Sequence, residues 1–294
     1  MNRYRIFWST GFTITGVVLA LLCLASCATN SVEPKHKSEA DDKFTFCVYG
    51  DTRTGHDAHR KVVDRLVALE PDFVIHTGDM VAKGRDEEQW KTFFEISKPL
   101  LDVTPFYPTR GNHDGKLEPY SKRFSLPSGT SGGKLYYTFN KGKCHFIVLD
   151  TAQDYSRGSV MHNWFRQDLA ANRLPIVFVF MHTPLYPARI RSGKVSPDNV
   201  GLIDAFQNLF EQFKVTAVWS GHVHLYHRTE RGGVPFICAA GGGAPLYDIA
   251  QEKMRPGDVA LKEHHVVTVE VDGTQIQCRT YLIDGTVADE FRLD

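Results

Sequence analysis

The chain carries no excess charge of either sign: 34 Lys and Arg balance 34 Asp and Glu across 294 residues. That balance gives no support to nucleic acid or an anionic membrane as the main partner, and no nucleic-acid binding is expected. Internal repeats and low-complexity tracts are missing, which excludes repeat arrays, and no composition shift marks a second large domain. Only one apolar run is long, from Gly11 to Leu24, and Thr13 and Thr15 interrupt it. It falls short of a comfortable bilayer span. What remains is ordinary globular composition, 42% hydrophobic and 23% charged, at a length that permits one large α/β domain with a well-buried core.

The apolar run has the setting of an export signal. Arg3 and Arg5 precede it, and Leu24-Ala25-Ser26-Cys27 follows with small residues at the cut. The tetrapeptide resembles the lipobox of bacterial lipoproteins, in which cleavage leaves the cysteine first and a diacylglycerol is attached to it. The resemblance implies a signal peptide over 1–26, lipidation of Cys27, and an exported lipoprotein of the cell envelope held to the membrane by its lipid anchor. The polar segment that follows reads as a tether, so 27–42 would join the lipid to a domain over 43–294. Ala28 is not the aspartate that tends to retain enteric lipoproteins in the inner membrane. In a Gram-negative source the outer membrane is therefore favoured.

Cysteine is scarce. Cys23 falls in the signal and Cys27 would carry lipid, which leaves Cys47, Cys144, Cys238 and Cys278 without zinc-knuckle spacing. Buried free thiols are the plain reading; an exported location permits a disulfide, but no pairing follows from sequence.

From Lys43 onward short apolar runs alternate with amphipathic stretches, the pattern of an α/β or layered α+β domain. Strands are predicted over 44–49, 73–75, 106–107, 136–139, 146–149, 175–181 and 215–219, from their continuous apolar character. Helices are predicted over 56–69, 86–97, 161–171 and 201–213. The C-terminal stretch is strand-rich, with Asp272-Gly273 as a hairpin turn.

Strand after strand ends on a polar cluster. Gly50-Asp51 ends the first and Gly78-Asp79 follows the second; Gly111-Asn112-His113-Asp114 follows the third. His182 ends the strand through Phe180, and Gly221-His222-Val223-His224 ends the one through Trp219. Loops at carboxyl ends of sheet strands are where α/β folds assemble their sites. Aspartate and imidazole are good ligands for divalent Zn, Mn or Fe, and a carboxylate can bridge two ions.

In order and spacing, the five clusters over roughly 43–245 resemble the calcineurin-like metallophosphoesterase signature: an aspartate block, Gly-Asp, Gly-Asn-His-Asp/Glu, a lone His and Gly-His-x-His. The resemblance implies a four-layer α/β/β/α sandwich with its site across the strand ends. It implies two divalent or trivalent ions, Fe, Mn or Zn, at about 3.5–4 Å, which clamp a phosphoryl group and generate a hydroxide near neutral pH. Asp79 would bridge both ions, Asp51 and His224 would hold the first, and Asn112, His182 and His222 the second. His113 would sit over the leaving-group oxygen as acid or charge stabiliser. The implied substrate is a small-molecule phosphoester, with phosphomonoesterase favoured. Phosphodiesterase on the same core and an inactive surface binding lipoprotein are the alternatives.

Two departures from the signature matter. Many members carry Asp-x-His in the first block; here Asp51-Thr52 is followed by Arg53, which has no lone pair for a metal. The purple acid phosphatases supply a tyrosine three residues after the second-block aspartate, where this chain has Ala82. The first metal is thus one protein ligand short. Either His56 or His59 at the following helix start replaces it, or the first site is weak. Arg53 would contact phosphate through its planar fork or, as a surface arginine, pair with a helix carboxylate. Asp114 would orient His113 or cap the local turn. Arg189, Arg191 and Lys194, in the loop after His182, read as a solvated charged loop, with contact to substrate as the alternative. Gly241-Gly242-Gly243 lacks the Lys-Ser/Thr of a P-loop and reads as a tight turn near the metal loops. His76, His145, His162, His227, His264 and His265 match no block and read as structural or surface residues.

Overall fold

The computed structural model describes residues 42–116, 120–127 and 135–294. The expected signal, Cys27 and nearly all of the tether lie outside the described residues.

The chain opens with β1 (Lys43–Tyr49), α1 (His56–Ala68), β2 (Phe73–His76), α2 (Glu87–Leu101) and β3 (Phe106–Pro108). It continues with β4 (Tyr137–Lys141), β5 (Cys144–Val148), α3 (Val160–Ala171), β6 (Ile176–Phe180), β7 (Arg189–Arg191) and β8 (Lys194–Val195). A helical stretch follows in three parts, α4 (Val200–Leu202), a π-helical segment (Ile203–Gln207) and α5 (Asn208–Gln212). The rest is β9 (Ala217–Ser220), β10 (Tyr226–Arg231), β11 (Val234–Ala239), β12 (Asp248–Ile249), β13 (Val259–Leu261), β14 (His265–Asp272), β15 (Gln275–Leu282) and β16 (Val287–Leu293).

One sheet has the order β16-β15-β14-β1-β2-β3 and the other β13-β10-β11-β9-β6-β5-β4. Within them β1, β2 and β3 run parallel, as do β5, β6, β9 and β11, so the carboxyl ends of these strands line up. The sheets pack face to face on aromatic side chains. Phe46 of β1 meets Phe146 of β5 and Phe178 of β6 at ring-centroid distances of 5.3 and 5.4 Å. Each such ring buries enough surface to contribute about 1.5–3 kcal/mol.

Outside the first sheet, Val62, Leu66, Trp90 and Phe93 of α1 and α2 cover Cys47, Tyr49 and Val74. Outside the second, Met161, Phe165, Phe206 and Phe210 cover Ile147, Val177 and Val179. The result is the expected α/β/β/α layering. It also explains why the inner strands read as unbroken apolar runs: both of their faces are covered.

The differences from the predicted elements are local. Asp86 caps α2, its carboxylate accepting from the N–H groups of Glu88 and Gln89 at 3.1 and 3.3 Å. The helix then runs on through Pro99 to Leu101, past the predicted end at 97. The single helix predicted over 201–213 is interrupted by the π-helical segment. The small sheet β12-β7-β8 was not predicted at all, because two- and three-residue strands carry no periodic signal. Cys47, Cys144, Cys238 and Cys278 are free and buried. No helix among the described residues is long and apolar enough to cross a membrane.

Candidate metal centre

The carboxyl ends of β1, β2, β3, β6 and β9 bring Asp51, Asp79, Asn112, His182, His222 and His224 into one cluster. The backbone there is unusual: Asp51, Asp79 and His222 adopt left-handed conformations with φ of 58°, 57° and 67°. Asp and His tolerate this region better than most residues, yet such conformations persist only where the surroundings enforce them. Contacts across the cluster do so. Asp51 N–H donates to the Gly78 carbonyl at 2.9 Å, and the N–H of His222 donates to Asp51 Oδ2 at 2.8 Å. Gly111 is demanded by close approach, since a Cβ there would stand 2.2 Å from both the backbone nitrogen and Oδ1 of Asp79.

The ligand atoms of Asp79, His182 and His222 lie within 4.8 Å of one another, and so do those of Asp51, Asp79 and His224. Asp79 is common to both groups. In the first-mentioned group, His182 Nδ1–H donates to the Thr77 carbonyl at 2.8 Å. Its Nε2 therefore faces Asn112 Oδ1 at 3.0 Å, Asp79 Oδ1 at 3.4 Å and His222 Nδ1 at 3.2 Å. Acceptors converging this closely call for a proton or a metal cation between them. In the other group, His224 Nδ1–H donates to the Pro245 carbonyl at 2.7 Å, and Nε2 stands 3.4 Å from Asp51 Oδ1. Asp51 Oδ1 and Asp79 Oδ2 are buried without a hydrogen-bond donor. Backbone carbonyls holding Nδ1–H, with Nε2 turned to the site, are the usual outer support of metal-binding imidazoles. The donor set fits two cations that share Asp79.

Burial works against charge on both Asp79 and His182, but their mutual attraction prevails. Asp79 is held well below the usual carboxylate range by His182, and His182 is raised to about 9, chiefly by Asp79. His222 moves the other way, to about 3, through burial, His182 and then Arg189. A histidine raised in the folded state contributes stability below its unfolded pKa of about 6.5. That contribution is lost as pH climbs through about 9. In chelator, the metal-free protein should thus melt at progressively lower temperature between pH 6.5 and 9. A Tm that holds constant or rises across that window would rule out the protonated His182–Asp79 pair.

Several residues support the cluster. Asp114 is fully buried and accepts from four backbone N–H groups: Asp79 and Gly111 on Oδ2 at 2.9 and 2.8 Å, Met80 and Val81 on Oδ1 at 2.7 and 3.2 Å. It therefore caps and clamps the two loops; His113 is oriented instead by the Ala82 carbonyl, which accepts from Nδ1–H at 2.9 Å. The N–H of His113 donates to Asp79 Oδ1 at 2.9 Å. Arg110 ties the same loop to the end of β5, donating to Asp150 Oδ2 at 3.1 and 2.8 Å and to the Gly115 carbonyl at 2.7 Å. The triple glycine is a turn packed on the first loop: the N–H groups of Gly242 and Ala244 donate to the carbonyls of Gly50 and Asp51, each at 2.8 Å.

The structure corrects three sequence expectations. His59 is no replacement ligand: its ring stacks on Phe93 and its Nε2 stands 3.4 Å from Ser97 Oγ, between α1 and α2. Burial, then His56 and Arg60, lower it to about 3, as befits a neutral core imidazole. His56 is exposed at the start of α1 and joins neither donor group. Arg189 is not a solvated loop residue. It is buried, donates to the His222 carbonyl at 3.1 Å and to His222 Nε2 at 3.3 Å, and lies over the Tyr247 ring. Tyr247 in turn stacks on His224 at 4.6 Å. Arg191 and Lys194 are exposed as expected. His76 is structural, as expected: it is buried, and its Nδ1 accepts from the Gly78 N–H at 3.1 Å beneath the Asp79 loop.

Arg53 lies inside the cluster. Its Nε is 3.4 Å from Asp79 Oδ2 and its Nη2 donates to His224 Nε2 at 3.3 Å.

Comparison with known proteins agrees with this fold. Purple acid phosphatase 18 of Arabidopsis thaliana is 29% identical over 202 residues, which covers 64% of this chain and 45% of that one. The Fe(3+)-Zn(2+) purple acid phosphatase 12 of the same plant is 25% identical over 215 residues, covering 66% and 45%. The chain spans less than half the length of these relatives. A purple acid phosphatase structure from yellow lupin superposes with a TM-score of 0.73 at 18% identity, over 87% of this chain and 54% of that one. A dimetal phosphatase from Danio rerio does so at 0.57 and 14% identity, over 85% and 98%. These two likenesses establish the shared fold. The calcineurin-like phosphoesterase pattern itself matches residues 44–226, most of the described chain, and the chain belongs to that family.

Proposed function

We propose that the chain is a metal-dependent hydrolase of phosphomonoesters with a dinuclear site. The observation that carries this reading is the pair of donor groups sharing Asp79, with His113 fastened to the same carboxylate. Asp51, Asp79 and His224 would hold one ion; Asp79, Asn112, His182 and His222 the other. When bound, such ions supply Lewis acidity toward phosphoryl oxygens and a water acidified into the neutral range. His113, with Nδ1–H fixed on Ala82, has Nε2 left to hold a proton for the leaving-group oxygen. Asp51 receives the His222 N–H, which ties the loop that bears His222 and His224 to the β1 loop. The purple acid phosphatase names of the relatives favour a monoester over a diester.

The test uses the full chain in detergent, stripped of metal and assayed on p-nitrophenyl phosphate and bis-p-nitrophenyl phosphate with Mn, Zn, Fe or no metal. Metal-dependent turnover with the monoester preferred is the expected result. Preference for the diester would move the reading to phosphodiesterase. A folded, metal-binding protein without turnover on either ester would sink it in favour of a binding lipoprotein.

We further propose that Cys27 is lipidated and holds the domain at the cell envelope, on the strength of Leu24-Ala25-Ser26-Cys27 after an apolar run. Cys27→Ala should then block lipid attachment, read as loss of the diacylglycerol mass from the purified protein. An unchanged intact mass between the two forms, apart from the substitution itself, would refute lipidation.

A further inference from the structure

One donor group already has a cation in contact with it. The Nδ1–H of His224 is committed to the Pro245 carbonyl, so the neutral ring has a single lone pair, on Nε2. The guanidinium of Arg53 is using that lone pair, through Nη2 at 3.3 Å, while its Nε stands 3.4 Å from Asp79 Oδ2. A metal ion held by Asp51, Asp79 and His224 needs the same two atoms, and a guanidinium beside a divalent ion in a buried site repels it strongly. The backbone keeps Arg53 in place, with its N–H directed at the Asp79 carbonyl at 3.4 Å.

The other donor group has no such competitor. Arg189 touches His222 on Nε2, whereas the nitrogen that faces Asn112 and His182 is Nδ1. That leaves the converging atoms of Asp79, Asn112, His182 and His222 open to an ion without displacing an arginine.

We infer that Arg53 competes with metal for the Asp51–Asp79–His224 group, so that the two ions load in order. The Asp79–Asn112–His182–His222 group fills first, and the group at Arg53 fills only once the guanidinium has left. The side chain is 17% exposed, which gives it a route toward solvent. Arg53 is thus a positioning residue that sets the affinity of one metal, and the inference rests on the metal-dependent reading proposed above.

Equilibrium dialysis of the metal-stripped full chain against Mn(II), with bound metal counted by plasma mass spectrometry, tests this. The wild type should take up one Mn(II) more tightly than the second by about tenfold or more, and show an uncoupled Mn(II) electron-spin signal at one equivalent. Arg53→Ala and Arg53→Met should close the gap by about tenfold, with a spin-coupled signal arising at lower metal concentration. Thermal melts separate this from misfolding. Without metal the variants melt below the wild type, because Asp79 Oδ2 and His224 Nε2 lose their cation, and added Mn(II) raises their Tm by more. Two equal binding steps in the wild type, or an unchanged gap in both variants, overturns the inference and leaves the metal-dependent reading standing. No metal uptake by any of the three proteins overturns both.

Discussion

His113→Ala is expected to lower kcat by roughly 10²–10⁴-fold, the range for a positioned proton donor. The fold should survive, because the side chain is only half-buried and gives up one hydrogen bond, from Nδ1–H to the Ala82 carbonyl. Such a bond is worth about 1 kcal/mol. Metal binding should survive as well, because the contact with Asp79 runs through the backbone N–H of His113, which alanine keeps. A second readout separates proton donation from general disturbance. p-Nitrophenolate leaves without much help, whereas an alkoxide needs a proton as the bond to phosphorus breaks. The loss should therefore be larger on an alkyl phosphate than on p-nitrophenyl phosphate. Equal losses on both esters, with metal content unchanged, would assign His113 to charge stabilisation instead; an unaltered kcat would remove it from the reaction.

Asp114→Asn is expected to destabilise the protein by about 2–5 kcal/mol, the cost of leaving two buried backbone N–H groups without an acceptor. Ionised aspartate accepts on both oxygens, and here each oxygen takes two backbone N–H groups. Asparagine keeps one acceptor oxygen. In either orientation its NH₂ faces two N–H donors, which are then left buried and unpaired. The loops those donors belong to carry Asp79 and Asn112, so metal affinity should fall along with stability. Burial and then the Asp79 charge push the Asp114 carboxyl up to about 7. A cation held by Asp79 acts in the opposite direction, so metal and the Asp114 clamp reinforce each other. Urea unfolding with and without Mn(II) measures both effects. A variant within about 1 kcal/mol of wild type, with unchanged metal affinity, would show that Asp114 clamps nothing.

Much of this was legible in the sequence. The apolar runs ending in Gly-Asp, Gly-Asn-His-Asp and Gly-His-x-His announce inner strands whose carboxyl ends meet, because a strand covered on both faces has no polar residue to spare until it stops. What escaped was set by three-dimensional neighbours. Asp114 follows His113 directly in sequence, yet three of the four N–H groups on its carboxylate come from Asp79, Met80 and Val81, far back along the chain. Arg189 looks like a solvated loop charge, but β7 pairs with β12 and β8, and that pairing sits it beneath His222. His59 looks available at a helix start; which face of α1 meets Phe93 of α2 decides otherwise. The π-helical segment inside 200–212 is a shift of one residue in hydrogen-bond register, which an apolar pattern does not reveal.

The left-handed residues at Asp51, Asp79 and His222 have a consequence for anyone evolving this protein. Each carries backbone strain of order 1 kcal/mol or more that glycine would release. The same three positions supply carboxylates and an imidazole to the cluster. At Asp79 the ion pairs with His182 and Arg53 outweigh that strain, so selection for heat resistance alone bears first on His222, whose imidazole burial keeps neutral. A library built on this scaffold would drift toward a sturdier, inert relative unless metal retention is selected alongside survival of heating.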